Sequence, residues 1–226
     1  MNSFTEENYL KAIYKLLESG EKKVTTNSIA DRVDTAPASV TDMLRKLADK
    51  KLIHYQKYRG VSLTTSGKKV ALSVIRKHRL WELFLVDRLQ FKWDEVHEIA
   101  EQLEHIHSET LVHRLDQFLG KPKFDPHGDP IPDENGVFQP HKKIPLTELA
   151  VSSSAIVTGV VDHSPKFLRH LEKLGLSMGK EVKMVKQFEY DLSCVVAIKN
   201  IRPDIHLSHE AAGNILVTEK SNRDGN

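Results

Sequence analysis

The chain has 226 residues, of which 39% are hydrophobic and 28% are charged. This composition is typical of a folded protein of two or three domains and excludes a largely disordered chain. We expect neither a signal peptide nor a membrane-spanning helix, so the cytoplasm is the expected compartment. The single cysteine, Cys194, excludes an intrachain disulfide and a cysteine-rich zinc site.

The charges are distributed unevenly along the chain. Residues 1 to 80 contain 16 Lys and Arg and 8 Asp and Glu, whereas residues 81 to 226 contain 17 and 23. The first segment therefore has a net charge of +8 and the second −6, which together give the formal net charge of +2. A basic N-terminal third followed by an acidic remainder favours a nucleic-acid-binding module attached to a cation-binding one.

The N-terminal segment predicts a winged helix-turn-helix. Apolar residues at helical spacing from Tyr9 to Leu17 predict a first helix that ends near Gly20. A short helix from Thr26 or Asn27, a turn and a second helix from about Pro37 follow. Two β-prone runs, LIHYQ and GVSLT, are separated by KYRG and predict a two-stranded wing with a basic tip.

In a winged helix-turn-helix the early residues of the second helix face the major groove of DNA. Small and hydroxyl side chains there suit close approach to base edges and phosphates, and cations at the wing tip suit the DNA backbone. The predicted DNA-contacting residues are Pro37, Ala38, Ser39, Thr41, Asp42, Arg45, Lys57, Tyr58 and Arg59. Asp42 either accepts from a cytosine amine or caps the helix, and a protein-docking module is the alternative interpretation of the motif.

Histidine and glutamate are concentrated in VHEIAEQLEHIHSE, residues 96 to 109. As one helix, this stretch places His97, Glu101, Glu104 and His105 on one face, opposite an apolar stripe. A long helix predicted from Lys69 to about Leu89 carries a further histidine and glutamate four residues apart. Carboxylates and imidazoles without thiolates suit Mn(II), Fe(II), Co(II) or Zn(II), and the alternative is a solvated charged face.

These segments resemble the diphtheria toxin repressor family of metal-dependent transcriptional regulators, which includes iron-dependent and manganese-dependent members. The resemblance covers about the first 132 residues, in the stretches TEENYLKAIYKL, APASVTDMLRKL, YRGVSLTTSGKK, RKHRLWELFL, VHEIAEQLEH and FDPHGDPIP. It implies a primary metal site of Asn8, Glu101, Glu104 and His105, and a second site of His78, Glu82 and His97. It also implies a homodimer that binds a near-palindromic double-stranded operator and controls metal-uptake genes.

Mn(II) and Fe(II) are both candidate metals. Glu101 stands where the iron-responsive branch has cysteine and the manganese branch has glutamate, and the oxygen-rich ligand set favours Mn(II). Asn8 and Lys11, however, replace the two first-helix acids of the manganese branch. Because a charged lysine cannot ligate a metal, a two-metal cluster of the manganese type is not expected. His107 and His113 are predicted to be surface residues.

The C-terminal third is predicted to be a small β domain. Residues 123 to 146 are rich in Pro, Gly and Asp and predict a linker or ordered loop, in which DPHGD is interpreted as a turn cluster rather than a cation site. Beyond it, SSAIVTGVV, KEVKMVKQF, SCVVAIKN and NILVTE predict strands around the helix PKFLRHLEKLG. The pattern resembles the SH3-like domain of the iron-responsive branch, which implies Asp162 and His163 as further candidate ligands of the second site.

The predicted fold is mainly α with small β parts. A winged helix-turn-helix DNA-binding domain is expected over residues 1–72, a helical dimerisation and metal-sensing domain over 73–140, and an SH3-like β-barrel over 141–226. The predicted function is a DNA-binding repressor that senses Mn(II) or Fe(II), not an enzyme, without a small-molecule substrate or membrane partner. The alternatives are a metal-independent winged-helix regulator and a metallohydrolase in which the His/Glu cluster activates water.

Overall fold

The computed structural model describes residues 2–56, 59–199 and 203–220. Within them the chain forms eight α-helices and eight strands. The α-helices are α1 Phe4–Glu18, α2 Thr26–Arg32, α3 Pro37–Asp49, α4 Thr65–Leu89, α5 His97–Leu103, α6 Glu109–Phe118, α7 Pro165–Lys173 and α8 His209–Gly213. The strands are β1 Ile53–Gln56, β2 Gly60–Leu63, β3 Ile144–Pro145, β4 Ser154–Val160, β5 Glu181–Gln187, β6 Cys194–Ile198, β7 Ile205–Leu207 and β8 Ile215–Glu219.

The chain divides into two compact units, each made of several chain segments. The first unit comprises Met1–Trp81, Ala100–Lys121 and Ile131–Phe138. The second unit comprises Glu82–Ile99, Pro122–Pro130 and Gln139–Asn226. The boundary falls within α4 and within α5, so neither unit is a continuous stretch of sequence.

The first unit contains the predicted winged helix-turn-helix. Helix α1 begins with a capping box, in which the Ser3 hydroxyl accepts from the Glu6 N–H and the Glu6 carboxylate accepts from the Ser3 N–H. Helix α2 is capped by Thr25, and α3 begins with Pro37 at its first turn. Strands β1 and β2 pair antiparallel as the wing, so this part of the predicted fold is confirmed.

The core of the first unit joins α1, α2, α3 and the wing. Its fully buried members include Leu10, Ile13, Ile29, Leu44 and Leu47. Leu10 and Ile13 lie three positions apart on α1, as Leu44 and Leu47 do on α3, so each pair lies on one side of its helix and faces the same core. The polar sides of α1 and α3 are therefore left for other contacts.

The stretch from 96 to 109 is not the single helix that its periodicity predicts. Helix α5 ends at Leu103, and Glu104 and His105 form a turn before α6 begins with Ser108 as its N-cap. The Glu104 N–H still donates to the Ala100 carbonyl, 2.8 Å away. Glu104 and His105 therefore project from the end of the helix rather than from a continuous helical face.

The second unit contains a six-stranded antiparallel sheet in the order β3-β8-β4-β5-β6-β7. Apolar residues that alternate along the strands pack with α7 into one core, which includes Val157, Leu171, Met184, Val196 and Val217. Cys194 is buried in this core, as the apolar run SCVVAI indicates. The predicted strands and helix are all present, and the predicted SH3-like C-terminal fold is confirmed.

No helix within residues 2–56, 59–199 and 203–220 combines the length and the apolar character needed to cross a bilayer.

Candidate metal centre and nucleic-acid interface

One side of α1 carries charged and amide side chains toward the interior of the first unit. Glu7, Asn8 and Lys11 lie within a little more than one helical turn, and Glu7 and Lys11 are buried. Buried charges are stable only when they are paired and hydrogen-bonded. The side chains that pair with Glu7 and Lys11 therefore show where the candidate metal site lies.

Lys11 is paired with two of the predicted metal ligands. Its Nζ lies 2.7 Å from Glu101 Oε1 and 2.6 Å from Glu104 Oε1. Glu104 is 0% exposed, and its second oxygen, Oε2, lies 2.6 Å from His78 Nδ1. The two oxygens of one fully buried carboxylate are thus shared between an ammonium and an imidazole.

His105 is oriented by two residues of α1. Its Nδ1 lies 2.7 Å from Glu7 Oε2, and its ring stacks on Phe4 with centroids 4.8 Å apart. An imidazole that donates one N–H to a carboxylate presents a lone pair on its other nitrogen, which is the usual arrangement of a metal-binding histidine. With the Nδ1 proton directed to Glu7, Nε2 is the atom that His105 offers to a metal ion.

Two buried atoms at this site have no hydrogen-bond partner among the described residues: His105 Nε2 and Asn8 Oδ1. His105 Nε2 also lies 3.6 Å from Glu104 Oε1. Two ligands about 2.1 Å from one divalent ion lie at most about 4.2 Å apart, so this separation is compatible with a shared ion. Since buried polar atoms are rarely left unpaired, Glu104 and His105 fit a shared metal ion, and the buried Asn8 Oδ1 is a candidate for a third ligand.

With the His78 and His105 imidazoles counted as neutral, the charges of the side chains at this site do not cancel. Three carboxylates, Glu7, Glu101 and Glu104, face the two buried ammonium groups of Lys11 and Lys77. Burial lowers the pKa of Lys77, and the neighbouring carboxylates partly oppose that effect. The excess of carboxylates over ammonium groups favours binding of an additional cation.

A second cluster lies in the second unit. Ligand atoms of Glu82, Asp125 and His127, all buried, lie within 4.8 Å of one another. His97 Nδ1 lies 3.3 Å from Glu82 Oε1, on the more exposed side of the cluster. Two carboxylates and an imidazole without a thiolate form a ligand set suited to Mn(II), Fe(II) or Zn(II).

The turn DPHGD holds this cluster in shape. Asp125 Oδ1 accepts from the backbone N–H groups of His127, at 2.8 Å, and Asp129, at 2.9 Å. Gly128 has a φ of +88°, and a Cβ there would lie 2.2 Å from the Thr158 carbonyl oxygen. Only glycine therefore lets the turn approach β4 closely enough to fix His127.

His127 is held as a cation beside Glu82. Burial alone would lower the pKa of His127, but the Glu82 and Asp125 carboxylates and the Trp93 carbonyl raise it to about 9. His127 Nε2 lies 2.8 Å from the Trp93 carbonyl oxygen, whereas Nδ1 lies 3.6 Å from Glu82 Oε2. The cluster thus favours a positive charge, and Nδ1 is the nitrogen that faces the carboxylates.

Asp162 and His163 lie before α7, as the sequence predicts. The His163 ring stacks on the His127 ring with centroids 4.9 Å apart, and burial lowers the pKa of His163. Asp162 Oδ1 accepts from the Ser164 N–H at 2.8 Å, beside the start of the helix. The structure therefore brings His163 next to the second cluster and gives Asp162 a local hydrogen bond.

His78, which was predicted with Glu82 and His97, also contacts the primary site, because its Nδ1 lies 2.6 Å from Glu104 Oε2. His107 lies 3.6 Å from Glu7, and His113 pairs with Glu134 at 3.0 Å at the surface.

Three residues of the two clusters were not predicted from the sequence. Glu7 precedes Asn8 and lies one turn from Lys11, so its helical position was the available signal. Asp125 and His127 were visible in DPHGD, which was interpreted only as a turn cluster.

The predicted DNA-contacting residues lie on the outer side of α3. Val40, Leu44 and Leu47 face the core, which leaves the opposite side of the helix exposed. The exposed residues there include Pro37, Ala38, Ser39, Asp42 and Arg45. Asp42 pairs with Arg45 at 3.3 Å, and the half-buried Thr41 donates to the Pro37 carbonyl.

A groove separates the start of α3 from the wing. Its walls include Thr26, Ala38, Thr41, Tyr55 and Gly60. The exposed Arg59 lies at the wing tip and contacts Gln56 at 3.4 Å. Lys57 and Tyr58, also predicted to contact DNA, lie outside the described residues.

Glu6 connects α1 to α3. Its carboxylate is 1% exposed and lies 3.0 Å from Lys46 Nζ and 2.8 Å from Lys50 Nζ. Burial would raise the pKa of Glu6, but hydrogen bonds from Lys50, the Ser3 N–H and Lys46 lower it to about 2. One helix thus presents Glu6 to the predicted recognition helix and Glu7, Asn8 and Lys11 to the predicted metal site.

Three known domain families match consecutive segments of the chain. The iron-dependent repressor N-terminal DNA-binding domain matches residues 2–61, and the iron-dependent repressor metal-binding and dimerisation domain matches residues 64–133. The FeoA domain matches residues 144–219.

Several curated proteins are similar in sequence. The iron-dependent repressor IdeR of Mycobacterium leprae is 38% identical over 128 residues, which is 57% of this chain and 55% of that protein. The chain thus spans about half the length of the first curated relatives it matches. The diphtheria toxin repressor of Corynebacterium diphtheriae is 26% identical over 220 residues, 95% of this chain and 97% of that protein.

Solved structures match over nearly the whole chain. A manganese-dependent transcriptional repressor in complex with manganese has a TM-score of 0.81 and 34% identity, covering 95% of this chain and 100% of that one. ScaR with bound Zn²⁺ has a TM-score of 0.73 and 34% identity, covering 95% and 99%. From these matches we conclude that the chain belongs to the diphtheria toxin repressor family of metal-dependent regulators.

Proposed function

We propose that this chain is a metal-dependent DNA-binding transcriptional repressor that responds to Mn(II) or Fe(II). It acts as a homodimer on near-palindromic operator DNA in the cytoplasm and controls metal-uptake genes. The observation that carries the proposal is the double role of α1. Glu6 binds α3 through Lys46 and Lys50, while Glu7 of the same helix binds His105, with 2.7 Å between Glu7 Oε2 and His105 Nδ1.

The primary site would use Asn8, Glu104 and His105 as ligands, with Glu101 and His78 beside them. Two of these residues offer buried atoms that lack hydrogen bonds among the described residues, and Glu104 is fully buried. A bound divalent ion would supply the positive charge that the three carboxylates of the site require. The likeness to a repressor solved with manganese supports this assignment.

The second site would use Glu82, Asp125 and His127, with His97 at its exposed side. Asp162 and His163 remain further candidates because the His163 ring already stacks on His127. Asp125 and His127 come from one turn, so the backbone of that turn orients both ligands together.

The chain's own residues explain how occupancy of the primary site would reach DNA. His105, held by Glu7, is joined to α1, and Glu6 joins α1 to α3. Ligation of Asn8 and His105 would reduce the freedom of α1 and hence of α3. Two recognition helices about one DNA turn apart can then bind both half-sites of an operator together. The metal-bound state is favoured on DNA because only that state holds the helices in place.

Two other functions would leave part of the structure without a role. A metallohydrolase is the rival from another class, and it would leave the exposed α3 and the wing without a role. A metal-independent winged-helix regulator is the second rival, and it would leave the unpaired atoms of Asn8 and His105 without a role.

One experiment separates these proposals. Duplexes would be selected from a random pool with the full chain in Mn(II), and separately in anaerobic Fe(II), and then tested by gel shift with and without a chelator. The proposal expects tight binding that the chelator abolishes. Binding that survives the chelator would support the metal-independent regulator, and failure to select any duplex would refute DNA binding.

A further inference from the structure

The Lys11 ammonium lies between two carboxylates of the primary site, where a metal ion could otherwise bind. Its Nζ lies 2.7 Å and 2.6 Å from one oxygen each of Glu101 and Glu104, and the residue is 8% exposed. An ammonium has three donors and no acceptor, so Lys11 can only neutralise these carboxylates and cannot ligate an ion. The space between the Glu101 and Glu104 carboxylates is thus occupied by the Lys11 ammonium.

The charge balance shows what the lysine does. With the His78 and His105 imidazoles counted as neutral, the carboxylates of Glu7, Glu101 and Glu104 carry three negative charges and the ammonium groups of Lys11 and Lys77 carry two positive ones. One divalent ion turns the remaining −1 into +1. If Lys11 were replaced by a neutral residue, the net charge of these groups would be −2. If Lys11 were replaced by a carboxylate, the net charge would be −3, and two divalent ions would then be needed to reach the same +1.

The site also has separate places for the two cations. Lys11 uses Glu104 Oε1 and Glu101 Oε1, whereas His105 Nε2 has no hydrogen-bond partner among the residues that the structure describes. His105 Nε2 lies 3.6 Å from the same Glu104 oxygen that Lys11 contacts. Glu104 is therefore placed to bridge the ammonium on one side and an ion on the other.

We propose that the Lys11 ammonium is a built-in cation of the metal centre, which fills the place of a second divalent ion and limits the primary site to one. The inference rests on the metal centre of the proposed function. A buried ion pair alone would only join α1 to the turn after α5. The proposal adds that Lys11 sets the number of metal ions bound at the primary site.

Metal stoichiometry tests the proposal without DNA. Apo protein would be equilibrated with Mn(II), freed of weakly bound ion and analysed for manganese per chain, for the unsubstituted chain, Lys11→Glu and the control Lys22→Glu. Lys22 is exposed, and its substitution changes the net charge equally. We expect Lys11→Glu to bind one more Mn(II) per chain than the other two proteins. Equal numbers in all three would overturn the proposal.

A spectroscopic measurement locates the added ion. Two Mn(II) ions that share Glu104 would lie about 4 Å apart, as in other two-metal sites, and would be spin-coupled. We expect electron paramagnetic resonance to show this coupling in Lys11→Glu and not in Lys22→Glu. An added ion without coupling would mean that it binds elsewhere, which would contradict the role of Lys11.

Lys11→Met keeps the test decisive if Lys11→Glu does not fold. Removing the charge without adding a carboxylate should lower the thermal midpoint in chelator, and Mn(II) should raise the midpoint of this variant by more than it raises that of the unsubstituted chain. Equal increases would refute the built-in cation. If the unsubstituted chain binds DNA equally well with and without metal, the proposed function fails, whereas the stoichiometry of Lys11→Glu can still support this inference.

Discussion

Glu6→Gln tests whether α1 and α3 are joined by charge. Glutamine keeps the capping box, because either Glu or Gln at this position can accept from the Ser3 N–H. It loses the ion pairs with Lys46 and Lys50, which lie 3.0 Å and 2.8 Å away. The substitution therefore removes the electrostatic link between the two helices and leaves the helix start in place.

The expected cost follows from the pKa of Glu6. A fall from 4.5 to about 2 corresponds to at most about 3.4 kcal/mol at neutral pH, since one pKa unit is worth about 1.36 kcal/mol. The Lys46 and Lys50 side chains are 55% and 39% exposed, so solvent screens the pairs. We therefore expect Glu6→Gln to lower the free energy of unfolding by about 1–2 kcal/mol.

The sign of the pH dependence is fixed by the lowered pKa. The carboxylate contributes fully above the unfolded pKa of 4.5, and its contribution is lost as the pH falls from about 4.5 toward 2. Urea unfolding at pH 7 and pH 3 would compare Glu6→Gln with Glu18→Gln, a substitution at an exposed position of the same helix. The reasoning is refuted if Glu6→Gln costs no more than Glu18→Gln at pH 7, or if the difference between them does not shrink at pH 3.

Three further predictions concern DNA and metal. Arg59→Ala should weaken binding to all duplexes and flatten the log–log salt dependence by roughly one unit, and an unchanged slope would remove the wing from the interface. Glu104→Ala with His105→Ala should abolish metal-dependent DNA binding while circular dichroism and the oligomeric state stay unchanged, and retained metal dependence would place the primary site elsewhere. Glu101→Cys should raise the anaerobic response to Fe(II), or to Co(II), relative to Mn(II), because a thiolate favours softer metals. Equal responses in both proteins would mean that Glu101 does not select the metal.

Helices and strands that are determined by residues close together in the sequence could be predicted. The first-turn Pro37, the apolar spacing along α1 and the alternation of SCVVAI each act within a few residues, and the corresponding helices and strand are present. The short strands β3 and β7 were not predicted. They have two and three residues, and pairing with longer strands rather than local pattern defines them.

The geometry of the primary site depends on contacts that periodicity cannot show. The stretch from 96 to 109 has a helical pattern, yet α5 ends at Leu103. Glu104 then contacts Lys11, 93 positions earlier in the chain, and His105 contacts Glu7, 98 positions earlier. The resemblance already pointed to Lys11 at this site, but only the fold shows that its ammonium contacts both Glu101 and Glu104.

The second site shows how a correct local interpretation can be incomplete. DPHGD is a turn, as predicted, with Asp125 Oδ1 accepting from two backbone N–H groups. The same turn brings His127 beside Glu82 because Gly128 allows close approach to β4. That approach depends on residues about 30 positions later, so the turn chemistry alone could not predict the cluster.

The coupling of metal and DNA is the central claim, and one measurement tests it most directly. Mn(II) affinity would be determined for the full chain with and without a saturating operator duplex, alongside DNA affinity with and without Mn(II). Because linkage is reciprocal, both comparisons must change by the same factor, which we expect to be at least about fivefold. A Mn(II) affinity that is the same on and off DNA would contradict the account.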